Sequence, residues 1–115
     1  QVNDLFYYYR EQAALKARQY QRALDDIVKA IELSPKDLTY RAEHAVVNLR
    51  VGRYEESMKI LNEILKDEPK YGEAYRLLGL CQIQLKKTDE ACGNFNKAKE
   101  LGDPNVDELI KKYCK

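Results

Sequence analysis

Apolar residues recur along most of this chain at spacings of three and four, which lays one buried face along an α-helix. Leu24, Ile27, Val28 and Ile31 make one such stripe, and Leu77, Leu78, Cys81 and Leu85 make another. The stripes run for about 13–15 residues and stop at two kinds of break. One kind falls at Arg18–Gln19, Gly52–Arg53 and Lys87–Thr88; the other falls at Ser34–Asp37, Glu68–Lys70 and Gly102–Pro104. The pattern predicts six amphipathic helices and no strand-like alternation. A seventh helix is predicted in the tail, over 106–115, with Val106, Leu109, Ile110, Tyr113 and Cys114 on one face. Lys111, Lys112 and Lys115 fall on its wet side.

The breaks repeat with a period of 34 residues. On that period Tyr20 meets Tyr54 and Thr88, and Ala23 meets Ser57 and Ala91. Ile27 meets Leu61 and Phe95, and Ala30 meets Ile64 and Ala98. Pro35 meets Pro69, while Pro104 comes one residue late behind Asp103. Each copy (about 4–37, 38–71 and 72–105) therefore holds two helices, A and B. The small residues lie where B crosses A and let the backbones approach, and the large ones between them fill the gap. One hairpin cannot bury its apolar face alone, so stacked copies must share a continuous core. Gly52 closes a helix and the prolines follow helix ends, as terminal chemistry prefers. Asp103, ahead of Pro104, is the expected N-cap of the seventh helix.

With Tyr, a small residue, a large apolar residue, Ala and Pro at these spacings, the chain resembles the tetratricopeptide repeat. The resemblance implies an all-α, right-handed α-solenoid of three antiparallel helical hairpins in one domain, 1–115. The tail would be a capping helix over the last hairpin. Four positions depart from the pattern: Glu11 where Ala45 and Gly79 are small, Ile64 for Ala, Thr88 for Tyr, and the displaced Pro104. Arg10 and Asp26 resemble a pairing in a subset of such repeats, and are expected to form an ion pair between helices A and B.

Composition narrows the function. Lys and Arg number 20 against 19 Asp and Glu, a net charge of +1, which leaves no basic footprint for nucleic acid. No apolar run approaches the ~20 residues of a membrane span. No Gly-rich phosphate loop or metal-ligand spacing occurs, so no cofactor is expected. His44, the single histidine, falls on a packed face and reads as a boundary residue with a backbone partner. A catalytic base needs a nucleophile or carboxylate held beside it, and no motif supplies one, so the chain is not read as an enzyme. Cys81, Cys92 and Cys114 match no zinc pattern. They are either three buried thiols or one disulfide with a free Cys81, since Cys92 and Cys114 fall at one level of two antiparallel helices. Cys81 is expected to face Met58. The start at Gln1 leaves the compartment open, between the cytoplasm and, with a leader removed, export.

In the family that the chain resembles, the concave face of the A helices takes an extended peptide or a partner helix. Carried onto this chain, that face comprises Leu5, Tyr8, Gln12, Leu15 and Lys16; Thr39, Ala42, Val46, Leu49 and Arg50; and Glu73, Arg76, Leu80, Ile83 and Gln84. Leu15, Val46, Leu49, Leu80 and Ile83 are expected to form a bare apolar stripe edged by Lys16, Arg50 and Arg76, suited to an apolar, mildly acidic peptide. The subfamily that grips the C-terminal carboxylate of heat-shock chaperones uses cations and amides where this chain has Tyr8, Gln12, Glu43, Glu73 and Leu77. A chaperone carboxylate is therefore not the expected ligand. The competing reading is a self-associating, architectural module, a homo-oligomer or part of a longer protein, with the groove in its own interface.

Overall fold

The computed structural model describes residues 3–115; Gln1 lies outside them. Seven helices follow one another: α1 (Asp4–Lys16), α2 (Tyr20–Leu33), α3 (Leu38–Val51), α4 (Tyr54–Asp67), α5 (Gly72–Gln84), α6 (Thr88–Glu100) and α7 (Asp107–Tyr113). No strand occurs among the described residues. First helices start at 4, 38 and 72 and second helices at 20, 54 and 88, so every start recurs after 34 residues. Each helix packs on the one before it and α3 also reaches α5, giving a rod of 50 × 28 × 22 Å.

The turn inside each hairpin is built the same way three times. Arg18, Gly52 and Lys86 take positive φ angles of 60°, 95° and 66°. The next N–H then reaches back to a helix carbonyl: Gln19 to Ala14, Arg53 to Asn48 and Lys87 to Gln82, each at 2.8 Å. This closure satisfies carbonyls that the helix end would otherwise orphan. Only the middle copy supplies glycine. Arg18 and Lys86 hold a left-handed conformation that costs an L-residue about 1–2 kcal/mol.

The core is three clusters that cross from hairpin to hairpin: one over α1, α2 and α3, one over α3, α4 and α5, and one between α6 and Val106 ahead of α7. Ala23, Ser57 and Ala91 are fully buried, as are Ile27, Leu61 and Phe95 beside them. Size trades across the A–B crossing. Phe95, the largest residue in its row, faces Gly79, where an added Cβ would stand 2.4 Å from a ring carbon. Leu61 shares its copy with Ala45, and Ile27 with Glu11. Arg10 meets Asp26 through two hydrogen bonds of 3.0 and 2.8 Å, tying α1 to α2. Asp4 accepts from Ser34 at 3.0 Å and from the Tyr40 hydroxyl at 2.8 Å, which ties α1 to α3.

The tail closes the rod. Val106 is fully buried, Leu109, Ile110 and Tyr113 pack on the last cluster, and the Tyr113 ring stacks on Phe95 at 6.4 Å. A disulfide joins Cys92 of α6 to Cys114, with Cα atoms 5.7 Å apart. Asp103 does not cap α7. The chain makes a turn at Pro104–Asn105, and α7 starts after Val106 with no side-chain cap. Asp103 instead accepts the Asn105 N–H at 2.7 Å and the Arg76 guanidinium at 3.0 Å.

Candidate functional site

Helices α1, α3 and α5 carry the residues assigned to the concave face, and burial divides them. Leu15 is only 7% exposed, and Ala42 is buried. Val46, Leu49, Leu80 and Ile83 are half-buried and pack against the core clusters. The stripe is therefore not bare. Val46 spans the first two clusters, and Leu80 and Ile83 pack with the cluster that holds Val106 beneath α7. Neighbouring hairpins and the cap cover most of what spacing alone would leave open. The exposed large apolar residues of α1 are Leu5, Phe6 and Tyr9, at 48%, 45% and 61%.

Among the three cations expected at the edge, Lys16 and Arg50 are exposed, and so are Thr39 and Gln84. Arg76 is taken: its Nε lies 3.0 Å from the buried Asp103, and Glu73 stands 3.9 Å from its Nη2. Its partner sits 27 residues away, in the loop after α6, where spacing along α5 gives no sign of it.

The seam between α1 and α3 is rich in tyrosine and acid. The Tyr8 ring lies 5.2 Å from Tyr40 and 5.5 Å from Tyr9. Gln12 lies one turn away on the same helix. Burial, followed by the Glu43 charge, raises the Tyr8 pKa. Tyr40 is pushed up to about 12 by burial and by its bond to Asp4. At the N-cap of α5, burial and Glu73 push Tyr71 up to about 12. These hydroxyls stay protonated at neutral pH, Tyr40 donating to Asp4 and Tyr71 to Glu73.

Glu11 is the buried acid of this seam. It is 0% exposed, and neither carboxyl oxygen meets a hydrogen-bond donor among the described residues. Its charged neighbours are also acids, Glu43 of α3 and Asp26 of α2. Two carboxyl groups bond only when one carries the proton, and the more buried one keeps it. Burial, then Glu43, pushes Glu11 up to about 9. Spacing marked Glu11 as oversized for its position, but gave no sign of its protonation.

His44 is half-buried in an open depression with Leu24, Val28, Tyr54 and Glu56. Burial lowers its pKa, opposed by the charge of Glu56. Its backbone carbonyl, rather than its ring, takes the Asn48 amide at 3.0 Å. Cys81 is buried in the cluster against which Met58 packs. No group of three His, Cys, Asp or Glu among the described residues could hold a metal ion. No described helix is long and apolar enough to cross a membrane.

Known proteins place this geometry. The first TPR of Spaghetti (RPAP3), solved bound to the HSP90 peptide SRMEEVD, superposes with a TM-score of 0.81 over 96% of this chain and 90% of that one, at 19% identity. Small glutamine-rich tetratricopeptide repeat-containing protein 2 of Mycosarcoma maydis is 30% identical over 99 residues, 86% of this chain and 28% of its own length. Heat shock protein STI1 of Saccharomyces cerevisiae is 32% identical over 101 residues, 84% of this chain and 17% of its own length. The chain thus spans less than a third of either relative. The sequence profile of the tetratricopeptide repeat matches residues 14–78 and 48–93. The chain belongs to the tetratricopeptide repeat family.

Proposed function

We propose that this chain is a non-catalytic protein-interaction module that takes a peptide or a partner helix on the face formed by α1, α3 and α5. The observation that carries the reading is the mixed character of that face. Tyr8, Val46, Leu49, Leu80 and Ile83 are firmly seated but half open, while Lys16 and Arg50 stand free at the rim. Anchored apolar groups inside a polar rim are the usual anatomy of an interface. The RPAP3 domain of the same fold was solved with a bound peptide. For this chain a chaperone carboxylate is a poor fit. Leu77 is 3% exposed, Glu73 is engaged by Arg76, and Glu43 adds negative charge.

Because Val46 and Leu80 pack on the core, a charge there would test folding before binding. The test is a pull-down with wild type beside Lys16→Glu/Arg50→Glu, both sites being exposed. A protein held by wild type and released by the variant supports the groove. The same set of proteins held by both would refute it. Self-association is the second reading, favoured by the exposed Leu5, Phe6 and Tyr9 of α1. Light scattering over a concentration series, with Phe6→Ser/Tyr9→Ser as the control, tests it: a mass that never exceeds one chain refutes self-association.

A further inference from the structure

We propose that Cys114 is a thiol-exchange site, and that a dithiol reductant acting there releases α7 from α6 and uncovers the apolar end of the rod. The proposal is independent of the groove reading.

Helix α7 has little to hold it besides the disulfide. It has seven residues, none of them is buried, and its start carries no side-chain cap. A helix that short has no stability of its own in water. The ion pair that ties it to α6, Lys99 to Asp107 at 3.1 Å, has both partners largely exposed and so contributes little. What remains is the packing of the half-buried Leu109, Ile110 and Tyr113 on the cluster of Ala91, Phe95, Ala98 and Val106, and the link from Cys92 to Cys114. The link closes a loop of 22 residues and keeps α7 beside α6 whenever that packing loosens.

The link is open to attack from outside. Cys114 lies just past the end of α7 in extended backbone, with φ −115° and ψ 120°. It lines an open depression with Lys99, Asp107, Glu108, Lys111 and Lys115. Lys99 and Asp107 bond to each other, which leaves Lys111 and Lys115 against Glu108. A surplus of cations beside a sulfur draws a thiolate toward it. Cys92 lies inside α6 and does not line that depression. Cys81 is fully buried in the middle cluster and takes no part.

The exchange runs in two steps. One thiolate of the dithiol attacks the Cys114 sulfur, the bond to Cys92 breaks, and Cys92 leaves as a thiolate that takes a proton from water. The second thiol of the reductant gives its proton to water and attacks the reductant's own sulfur in the mixed disulfide. Cys114 then leaves and is protonated in turn. The reductant ends as a disulfide, and its two electrons pass to the two cysteines with two protons. Packing alone then holds α7. When it lifts, Phe95 loses the stack with Tyr113 at 6.4 Å and its end of the rod opens to water.

The test uses the whole chain, oxidised, treated with dithiothreitol, and as Cys92→Ser/Cys114→Ser, with amide hydrogen exchange read by mass spectrometry. Dithiothreitol should reduce the link without denaturant. Helix α7 should then exchange about ten-fold faster, with α3 to α5 unchanged. The double variant should match the reduced chain with no reductant present. A pulse of glutathione on the oxidised chain, quenched with iodoacetamide, should leave glutathione on Cys114 and the alkyl group on Cys92. Equal protection of α7 before and after reduction would overturn the proposal, because packing alone would then hold the cap. Faster exchange throughout would overturn it too, by making the link a staple of the whole fold. So would glutathione found mainly on Cys92, or a link that resists dithiothreitol until the chain is denatured.

Discussion

Glu11 sets the pH response of this fold. It occupies the place where the other two copies carry Ala45 and Gly79, and burial with Glu43 raises its pKa from 4.5 to about 9. Below pH 4.5 the carboxyl is protonated in both the folded and unfolded chains. Above that the unfolded chain releases the proton, and the folded one keeps it until about pH 9. Folding therefore takes up a proton across this window, and stability falls as pH rises, by ~1.4 kcal/mol per unit. From pH 5 to pH 8 the loss reaches about 4 kcal/mol, a large share of the ~5–15 kcal/mol typical of a domain. Glu11→Gln keeps the shape and removes the titration. Urea unfolding followed by helical circular dichroism, at several pH values, gives both curves. The variant should match wild type near pH 4.5 and exceed it progressively as pH rises. His44, whose pKa is lowered, slopes the other way near its unfolded value of 6.5 in both proteins, so the difference isolates Glu11. Parallel curves for the two proteins would refute the reasoning.

Three further outcomes follow from the packing. Gly79→Ala should destabilise by about 1–3 kcal/mol, because its Cβ would meet the buried Phe95 ring, and adding Phe95→Leu should recover part of the loss in the same denaturation assay. Arg18→Gly and Lys86→Gly should each stabilise by up to about 1 kcal/mol, since glycine relieves positive φ at a cost in chain entropy, while Gly52→Ala should do the reverse. Unreduced protein unfolded in denaturant should titrate one thiol, Cys81, and three after reduction. Reduction should cost about 3 kcal/mol for a loop of 22 residues.

Repetition made the architecture legible. A constant period of 34 set the helix starts, because each hairpin must meet the same neighbour at the same residues. The small residues at Ala23, Ser57 and Ala91 showed where the helices cross, and the pairing of Arg10 with Asp26 was implied by the family resemblance. What could not be read depends on distant partners. Asp103 looked like a cap, yet it binds Arg76. The apolar stripe looked bare because spacing shows which face a residue takes, and not how far the next hairpin or α7 leans over it. Glu11 stood out as a large acid in a small place. Its charge state became clear only once Glu43 of the next hairpin lay over it.

A rod whose helices touch mainly their neighbours has no central nucleus that every part shares. Amide hydrogens should then exchange in a gradient, slowest in the middle helices α3 to α5 and fastest at an end. The two ends are not equal. The link from Cys92 to Cys114 prevents α7 from opening far from α6, whereas α1 is held by side chains alone. Local opening is thus directed to α1, the helix that carries Tyr8 and Gln12 of the proposed groove. A bound segment bridging α1 and α3 would slow that opening, so occupancy can be read from the exchange of the first hairpin.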